Sequence, residues 1–231
     1  MRRLTLLWGL LVSAGFSFAG VCDEVDLSKH IPFLPGSVKV VSKREVYSLC
    51  EMVLQDRGGF FTVYGTKDYV IVGELLSLGK NLSREGITSV QSRMVEKMLP
   101  ELRSLAAVVY GSGQKEVFFV SDPDCPFCNG IKRKVKELAD KNGYKVYLLW
   151  FPLPIHPKAK EKAVSFICEK RTFEDYLSDA YGKSNCSEGV SKVEKALEVL
   201  GSIVNATPTF IFSDGRIVVG GNPKVLEEEM K

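Results

Sequence analysis

The residues best suited to chemistry are two cysteines separated by two positions, in the segment Cys125-Pro126-Phe127-Cys128. Two sulfurs at this spacing can close a small ring at the start of a helix, so a disulfide and a reactive dithiol are both accessible. Such a dithiol can exchange with a substrate disulfide, because the first thiolate forms a mixed disulfide and the second thiol resolves it. The segment therefore indicates thiol-disulfide exchange.

Two other uses of this pair are open from the residues alone. A zinc site would need two further ligands, but the only histidines are His30 and His156, and Cys168 and Cys186 lie far apart in the chain. A purely structural disulfide is the second alternative, and a position between a strand and a helix argues against it. We expect no metal and no bound cofactor, only a redox-active disulfide.

The sequence around the two cysteines predicts the strand, loop and helix that position them. Residues 116–120 (EVFFV) are typical of a buried strand, and the loop 121–124 leads from it to the cysteines. A helix with apolar residues at helical spacing follows and ends at 141–143. Residues 145–151 form the next strand, so the region is a β-α-β unit with the usual right-handed crossover.

This placement assigns different roles to the two sulfurs. Cys125 faces the positive end of the helix dipole and the unpaired N–H groups of the first turn. We expect both to lower the pKa of its thiol. Cys128 lies one turn further in and is expected to be more buried.

A proline directly before an apolar strand is a second candidate feature. Thr207-Pro208 precedes the strand within 206–212, and proline cannot donate to a strand ladder. A cis bond in a turn that faces an active site would explain it. An ordinary proline of an edge strand remains the alternative.

The other elements fall into two halves. Short β-rich runs predict a small antiparallel meander with strands at 37–41, 46–54, 60–64 and 69–72 and a hairpin turn at 56–59. A helix is expected over 89–107, with a kink or break at Pro100. The second half adds helices at 158–181, 188–203 and 224–230 and a hairpin turn at 213–216.

The first 19 residues predict export. Arg2 and Arg3 precede an apolar run, and Ser17-Phe18-Ala19 places small residues where a signal peptidase reads them. The run is short for a membrane anchor, which needs about 20 apolar residues. Val21 before Cys22 argues against a lipoprotein. We expect a cleaved signal peptide, a periplasmic location and no stable membrane anchoring.

The charge balance of the chain argues against one class of binding partner. The chain has 31 Lys and Arg against 28 Asp and Glu, and removal of Arg2 and Arg3 leaves 29 basic side chains. A nearly neutral mature chain argues against a nucleic-acid binder, which usually has a marked basic excess.

At this point the residues match a known family. The segments EVFFVSDPDCPFC, FPLPIHP and ATPTFIFSDGRIVVGG resemble the thioredoxin-fold domain of the periplasmic disulfide isomerases DsbC and DsbG. FFTVYGTKDYVIVGEL resembles their small dimerisation domain. The resemblance implies an α/β (α+β) fold. Its implied parts are a dimerisation domain at 20–88, a linker helix at 89–112 and a thioredoxin-like domain at 113–231 with a helical insertion at about 157–204.

The same resemblance implies residue roles and partners. Cys125 would be the nucleophile and Cys128 its partner, beside a cis-Pro loop at Thr207-Pro208 that offers backbone hydrogen bonds to substrate. Cys168 and Cys186 would form a structural disulfide. The chain would be a V-shaped homodimer that binds misfolded exported proteins with non-native disulfides. A membrane thiol reductant of the DsbD type would keep it reduced.

Departures from the family pattern leave the activity open between three hypotheses. Pro126-Phe127 replaces the Gly-Tyr or Pro-Tyr dipeptide, and Cys22 and Cys50 are extra; we predict that they pair. An isomerase and reductase is favoured over a dithiol oxidase and over a chaperone-like holdase.

Three other polar residues lie in the loops after the two strands of the β-α-β unit. His156, after the strand at 145–151, either touches the active site or is a surface-loop residue, and we favour the second interpretation. Asp122 and Asp124 are either loop-shaping or solvated. Residues 158–162 are interpreted as an exposed helix face.

Overall fold

The computed structural model describes residues 20–56 and 59–231. The predicted signal peptide at 1–19, with Arg2, Arg3 and Ser17-Phe18-Ala19, lies outside the described residues. The middle of the predicted turn at 56–59 does so as well. No helix within the described ranges is long and apolar enough to cross a bilayer.

The first half is built on a four-stranded antiparallel sheet, as the sequence predicted. A 3-10 turn at Val21–Asp23 and a short helix, α1 (Leu27–His30), precede it. The strands pair in chain order: β1 (Lys39–Val46), β2 (Leu49–Asp56), β3 (Gly59–Gly65) and β4 (Val70–Val72). The predicted strand at 46–54 is divided, because the chain turns between β1 and β2 with Tyr47 at a φ of 54°. One face of β2 packs under the N-terminal turns, with Cys50, Met52 and Leu54 in that core.

A hairpin, β5 (Leu76–Ser77) and β6 (Lys80–Asn81), leads into a long helix, α2 (Leu82–Ser104). The side chain of Asn81 caps it by accepting from the N–H of Arg84 at 2.9 Å. The predicted start at 89 was therefore too late. Gly86 obscured the true start, although its small size lets the buried Glu51 carboxylate pack against the helix.

The sequence predicted a kink or a break at Pro100. The helix does not break there, since α2 continues to Ser104. Val95 and Leu102 on α2 pack on the second sheet, and this tertiary contact offsets the hydrogen bond that proline cannot make. The end of the predicted linker segment at 89–112 is not helical, since β7 (Val108–Tyr110) lies within it.

The second half contains a five-stranded sheet in the order β11-β10-β8-β9-β7. Its further strands are β8 (Lys115–Ser121), β9 (Tyr144–Trp150), β10 (Thr209–Phe212) and β11 (Ile217–Val219). β8 and β9 are parallel and are joined by α3 (Pro126–Asn142); the other pairs are antiparallel. Gly143, at a φ of 70°, ends α3 in the left-handed conformation. The predicted β-α-β unit is confirmed.

Helices cover both faces of this sheet. Besides α2 and α3, they are α4 (Ala159–Cys168), α5 (Phe173–Leu177), α6 (Ser187–Leu200) and α7 (Pro223–Glu229). The predicted helix at 158–181 is interrupted, because Lys170 has a φ of 51° and Thr172 caps a new helix. Buried side chains alternate along β8, so that Phe119 faces the core under α3 and α4 whereas Phe118 faces the core under α2 and α6. The fold class predicted from the sequence is confirmed.

Candidate active site

The two cysteines of the CPFC segment lie at the start of α3 and are both free thiols. Cys125 is the N-cap residue in an extended conformation, and Pro126 occupies the first turn, where its missing N–H costs nothing. The Cys125 sulfur accepts from the N–H of Cys128 at 3.4 Å. Cys125 is 3% exposed and Cys128 is 0% exposed. Both thiols are therefore buried, and Cys125 is marginally the more exposed of the two.

Burial makes Cys128 a weak acid. The loss of hydration raises the pKa of its thiol to about 12. The neighbouring Cys125 sulfur adds to this rise, whereas the N–H of Asp122 and the hydroxyl of Ser121 oppose it by hydrogen bonding to the sulfur. Cys128 is thus held as a thiol.

The Thr207-Pro208 peptide bond is cis and lies beside the cysteines. The Cys125 thiol donates to the carbonyl oxygen of Thr207 at 3.3 Å. The Pro208 carbonyl accepts from the N–H of Gly220 at 2.8 Å, which ties the turn to the end of β11. The structure thus brings together four residues that the sequence proposed for one site: Cys125, Cys128, Thr207 and Pro208.

Asp122 is a third component of the site, and its environment corrects the interpretation of His156. Its side chain is fully buried. One carboxylate oxygen accepts from the N–H of Asp124 at 2.7 Å. The other accepts from the N–H of Leu153 at 2.7 Å and lies 2.8 Å from Nδ1 of His156. His156 is therefore not a surface-loop residue without contacts, and Asp122 shapes the loop rather than being solvated.

Lys162 also departs from the sequence interpretation. It belongs to the stretch 158–162 that was assigned to an exposed helix face, yet its ammonium pairs with the Asp124 carboxylate. This ion pair ties α4 to the loop before Cys125. Asp124 thus has a partner and is not simply solvated.

A polar pair lies beneath Cys128, and sequence reasoning missed it. The hydroxyls of Ser121 and Tyr176 are 2.7 Å apart in the interior. Burial raises the pKa of Tyr176 well above its ordinary value, so it stays protonated. Trp150 packs edge-on against Tyr176 at 5.5 Å. In the sequence, only the position of Ser121 at the start of the active-site loop could have suggested this pair.

The other four cysteines form two disulfides, Cys22–Cys50 and Cys168–Cys186. The first attaches the N-terminal turn to β2 in the first half. The second joins the end of α4 to the N-cap of α6 within the helical insertion. Within residues 20–56 and 59–231, no group of three or more His, Cys, Asp and Glu side chains is arranged to hold a metal ion.

Comparison with known proteins places this site in context. A family model described as a thioredoxin-like domain matches residues 103–228. No curated protein matches the sequence. The matched domain contains the CPFC segment, the cis-proline turn and all five strands of the second sheet.

Several solved structures are similar to the chain. The thiol-disulfide exchange protein alpha-DsbA2 from Wolbachia pipientis is 15% identical with a TM-score of 0.48, covering 62% of this chain and 95% of its own. Helicobacter pylori DsbG is 15% identical with a TM-score of 0.41, covering 76% and 93%. A disulfide interchange protein from Neisseria gonorrhoeae is 27% identical with a TM-score of 0.41, covering 55% and 93%.

Proposed function

The chain belongs to the thioredoxin-like family, and from that membership we propose that it is a thiol-disulfide isomerase and reductase of exported proteins. Its fold is that of a thiol-disulfide oxidoreductase. One observation carries the proposal: a free dithiol, Cys125 and Cys128, lies at a helix start with the nucleophilic sulfur 3.3 Å from the carbonyl of the cis-proline turn.

The exchange reaction uses the two sulfurs in order. The Cys125 thiolate attacks one sulfur of a wrong substrate disulfide, forms a mixed disulfide and releases the other substrate sulfur as a thiolate. In isomerisation, a different substrate thiolate then attacks the mixed disulfide and frees Cys125. If that attack is slow, Cys128 attacks the Cys125 sulfur, releases the substrate thiol and leaves the Cys125–Cys128 disulfide. The enzyme has then lost two electrons to the substrate.

The surroundings of Cys125 suit an unfolded polypeptide. We assign Thr207 and Pro208 to substrate binding, because an extended peptide beside this turn can form backbone hydrogen bonds. Phe127, between the two cysteines, is 70% exposed and Ile155 is 76% exposed. These apolar side chains favour contact with the apolar segments that misfolded chains expose.

The proposal extends to assembly. We propose that residues 20–88 form a dimerisation domain, that residues 89–112, which include most of α2, are the linker and that 113–231 is the catalytic domain. β4 is at the end of the first sheet, and its residues Ile71 and Val72 are 53% and 63% exposed. An apolar edge strand of this kind is suited to pairing with a second copy of the chain.

The proposal also specifies a compartment and a redox partner. The predicted signal peptide and the two further disulfides, Cys22–Cys50 and Cys168–Cys186, favour the oxidising periplasm. An isomerase there must be kept reduced. We therefore propose a membrane thiol reductant of the DsbD type as the electron donor.

Reactivation of scrambled ribonuclease in a glutathione buffer tests the activity. Wild type should restore ribonuclease activity, and Cys125→Ser should not. Rapid oxidation of reduced ribonuclease without reactivation of the scrambled form would instead indicate a dithiol oxidase. Retention of function by Cys125→Ser in an aggregation assay, with no reactivation by wild type, would indicate a holdase.

A further inference from the structure

The carboxylate of Asp122 connects two loops at the active-site end of the sheet. It follows β8 directly, whereas two of its three donors, Leu153 and His156, lie in the loop after β9. A fully buried carboxylate is stable only when hydrogen bonds replace its lost hydration. Here two donors are backbone N–H groups, and His156 is the one that is a side chain.

The main chain of Asp122 contacts the first residue of the dithiol. Its carbonyl oxygen accepts from the N–H of Cys125 at 3.1 Å. The Cys125 sulfur in turn accepts from the N–H of Cys128 at 3.4 Å. A shift of Asp122 would therefore displace Cys125 relative to Cys128. An attack of one cysteine on the other depends on that relative placement.

His156 is held for this contact by its own backbone. Its N–H donates to the carbonyl of Leu153 at 3.0 Å, and its carbonyl accepts from the N–H of Ala159 at 3.0 Å. Its side chain is 18% exposed, with Nδ1 directed at Asp122. Because a carboxylate only accepts, Nδ1 carries the proton in this contact.

We propose that His156 is a positioning residue that acts through Asp122 to fix Cys125 against Cys128 and thereby speeds the resolution of the mixed disulfide. This inference rests on the proposed thiol-disulfide exchange at Cys125. In the step concerned, the Cys128 thiolate attacks the Cys125 sulfur, the new Cys125–Cys128 bond forms and the bond to the substrate sulfur breaks. The substrate leaves as a thiolate that takes up a proton from water. The attack of Cys125 on the first disulfide does not depend on the placement of Cys125 relative to Cys128.

Three substitutions at one position separate a positioning role from a packing role. His156→Asn keeps an amide N–H close to the place of Nδ1, whereas His156→Gln carries its amide to the place of Nε2, away from Asp122. His156→Ala removes the donor. His30→Ala, in α1, is the matched control because His30 is the other histidine of the chain.

The assay mixes the reduced full chain with oxidised glutathione, quenches it with acid and measures the Cys125–glutathione adduct by mass spectrometry. The rise of the adduct gives the attack rate, and its decay gives the resolution rate. We expect resolution to be about tenfold slower in the Ala and Gln variants, as the loss of a hydrogen bond to a charged group allows. Attack should change by less than about threefold. The Asn variant should resolve close to the wild-type rate, and His30→Ala should match wild type.

Each outcome has a defined meaning. Slower decay in the Gln variant with recovery in the Asn variant supports the inference, even if the Ala variant does not fold. Equal decay in the wild type and Gln variant, or an equal loss in attack and resolution, overturns the inference and leaves the proposed function intact. Absence of any adduct in wild type overturns the proposed function, and the inference falls with it.

Discussion

Removal of the Cys22–Cys50 disulfide should destabilise the first sheet selectively. Its cysteines are 28 residues apart, so the chain-entropy relation assigns the cross-link about 3.6 kcal/mol. Cys50 is fully buried in the core with Met52 and Leu54, and alanine there leaves a small void worth roughly 1 kcal/mol more. Alanine is the appropriate replacement because a serine would bury a hydroxyl group.

Peptide-resolved hydrogen exchange measures this loss where it occurs. In Cys22→Ala/Cys50→Ala, the amides of β2 and β3 should exchange up to about 2,000-fold faster, the factor that corresponds to the combined loss of about 4.6 kcal/mol. The control is Cys168→Ala/Cys186→Ala, with a separation of 18 residues and an expected loss of about 3.2 kcal/mol. That control should instead speed exchange in α4 and α6 and shift the urea transition of Trp150 fluorescence.

Two results would refute this reasoning. Exchange in β2 and β3 that stays within about threefold of wild type would mean that the cross-link hardly constrains the unfolded segment. An equal acceleration in β8 and β9 would mean that the two sheets unfold as one unit, which the separate cores of Cys50 and of Phe119 argue against.

Three further predictions concern the two cysteines, the cis-proline turn and the helical insertion. In the reduced protein at pH 7, iodoacetamide should label Cys125 and leave Cys128 unlabelled. A pKa of about 12 gives Cys128 roughly a thousandfold less thiolate than an ordinary thiol. Peptide mapping that finds both cysteines labelled at similar rates would contradict this. Thr207→Val should preserve ribonuclease reactivation and leave the urea midpoint unchanged or higher. Oγ1 of Thr207 is buried and has no hydrogen-bond partner within residues 20–56 and 59–231, and substrate contacts there use the backbone. A large loss of reactivation would assign the hydroxyl a role. Hydrogen bonds from Ser184 and then from Arg171 lower the pKa of Glu169 to about 2 from 4.5. The stability that Glu169 contributes is present above pH 4.5 and is lost as the pH falls towards 2. Glu169→Gln should therefore flatten the pH dependence of the urea midpoint in that window. Parallel curves for wild type and the variant would exclude the effect.

Local signals made much of the fold predictable. Strand 116–120, the helix after CPFC and its end at Gly143 follow from apolar periodicity and glycine, which act within a few residues. The errors at α2 have the opposite origin. Gly86 and Pro100 weaken the helix pattern locally, but distant residues decide the outcome, since the Glu51 carboxylate packs at Gly86 and the second sheet holds the end of the helix.

The candidate site shows the same division between local and distant information. The roles of Cys125 and Cys128 follow from one short segment, but the contact of His156 with Asp122 joins residues in different loops. Topology could have supplied this contact. β8 and β9 were predicted as the two strands of a β-α-β unit, and the structure shows them as parallel neighbours. The carboxyl ends of such strands meet at one edge of a sheet. The loops that begin at Asp122 and after Trp150 must then lie side by side, so a carboxylate and an imidazole there can meet. Sequence pattern alone cannot decide whether they do, because the direction of a loop side chain depends on the backbone turn that carries it.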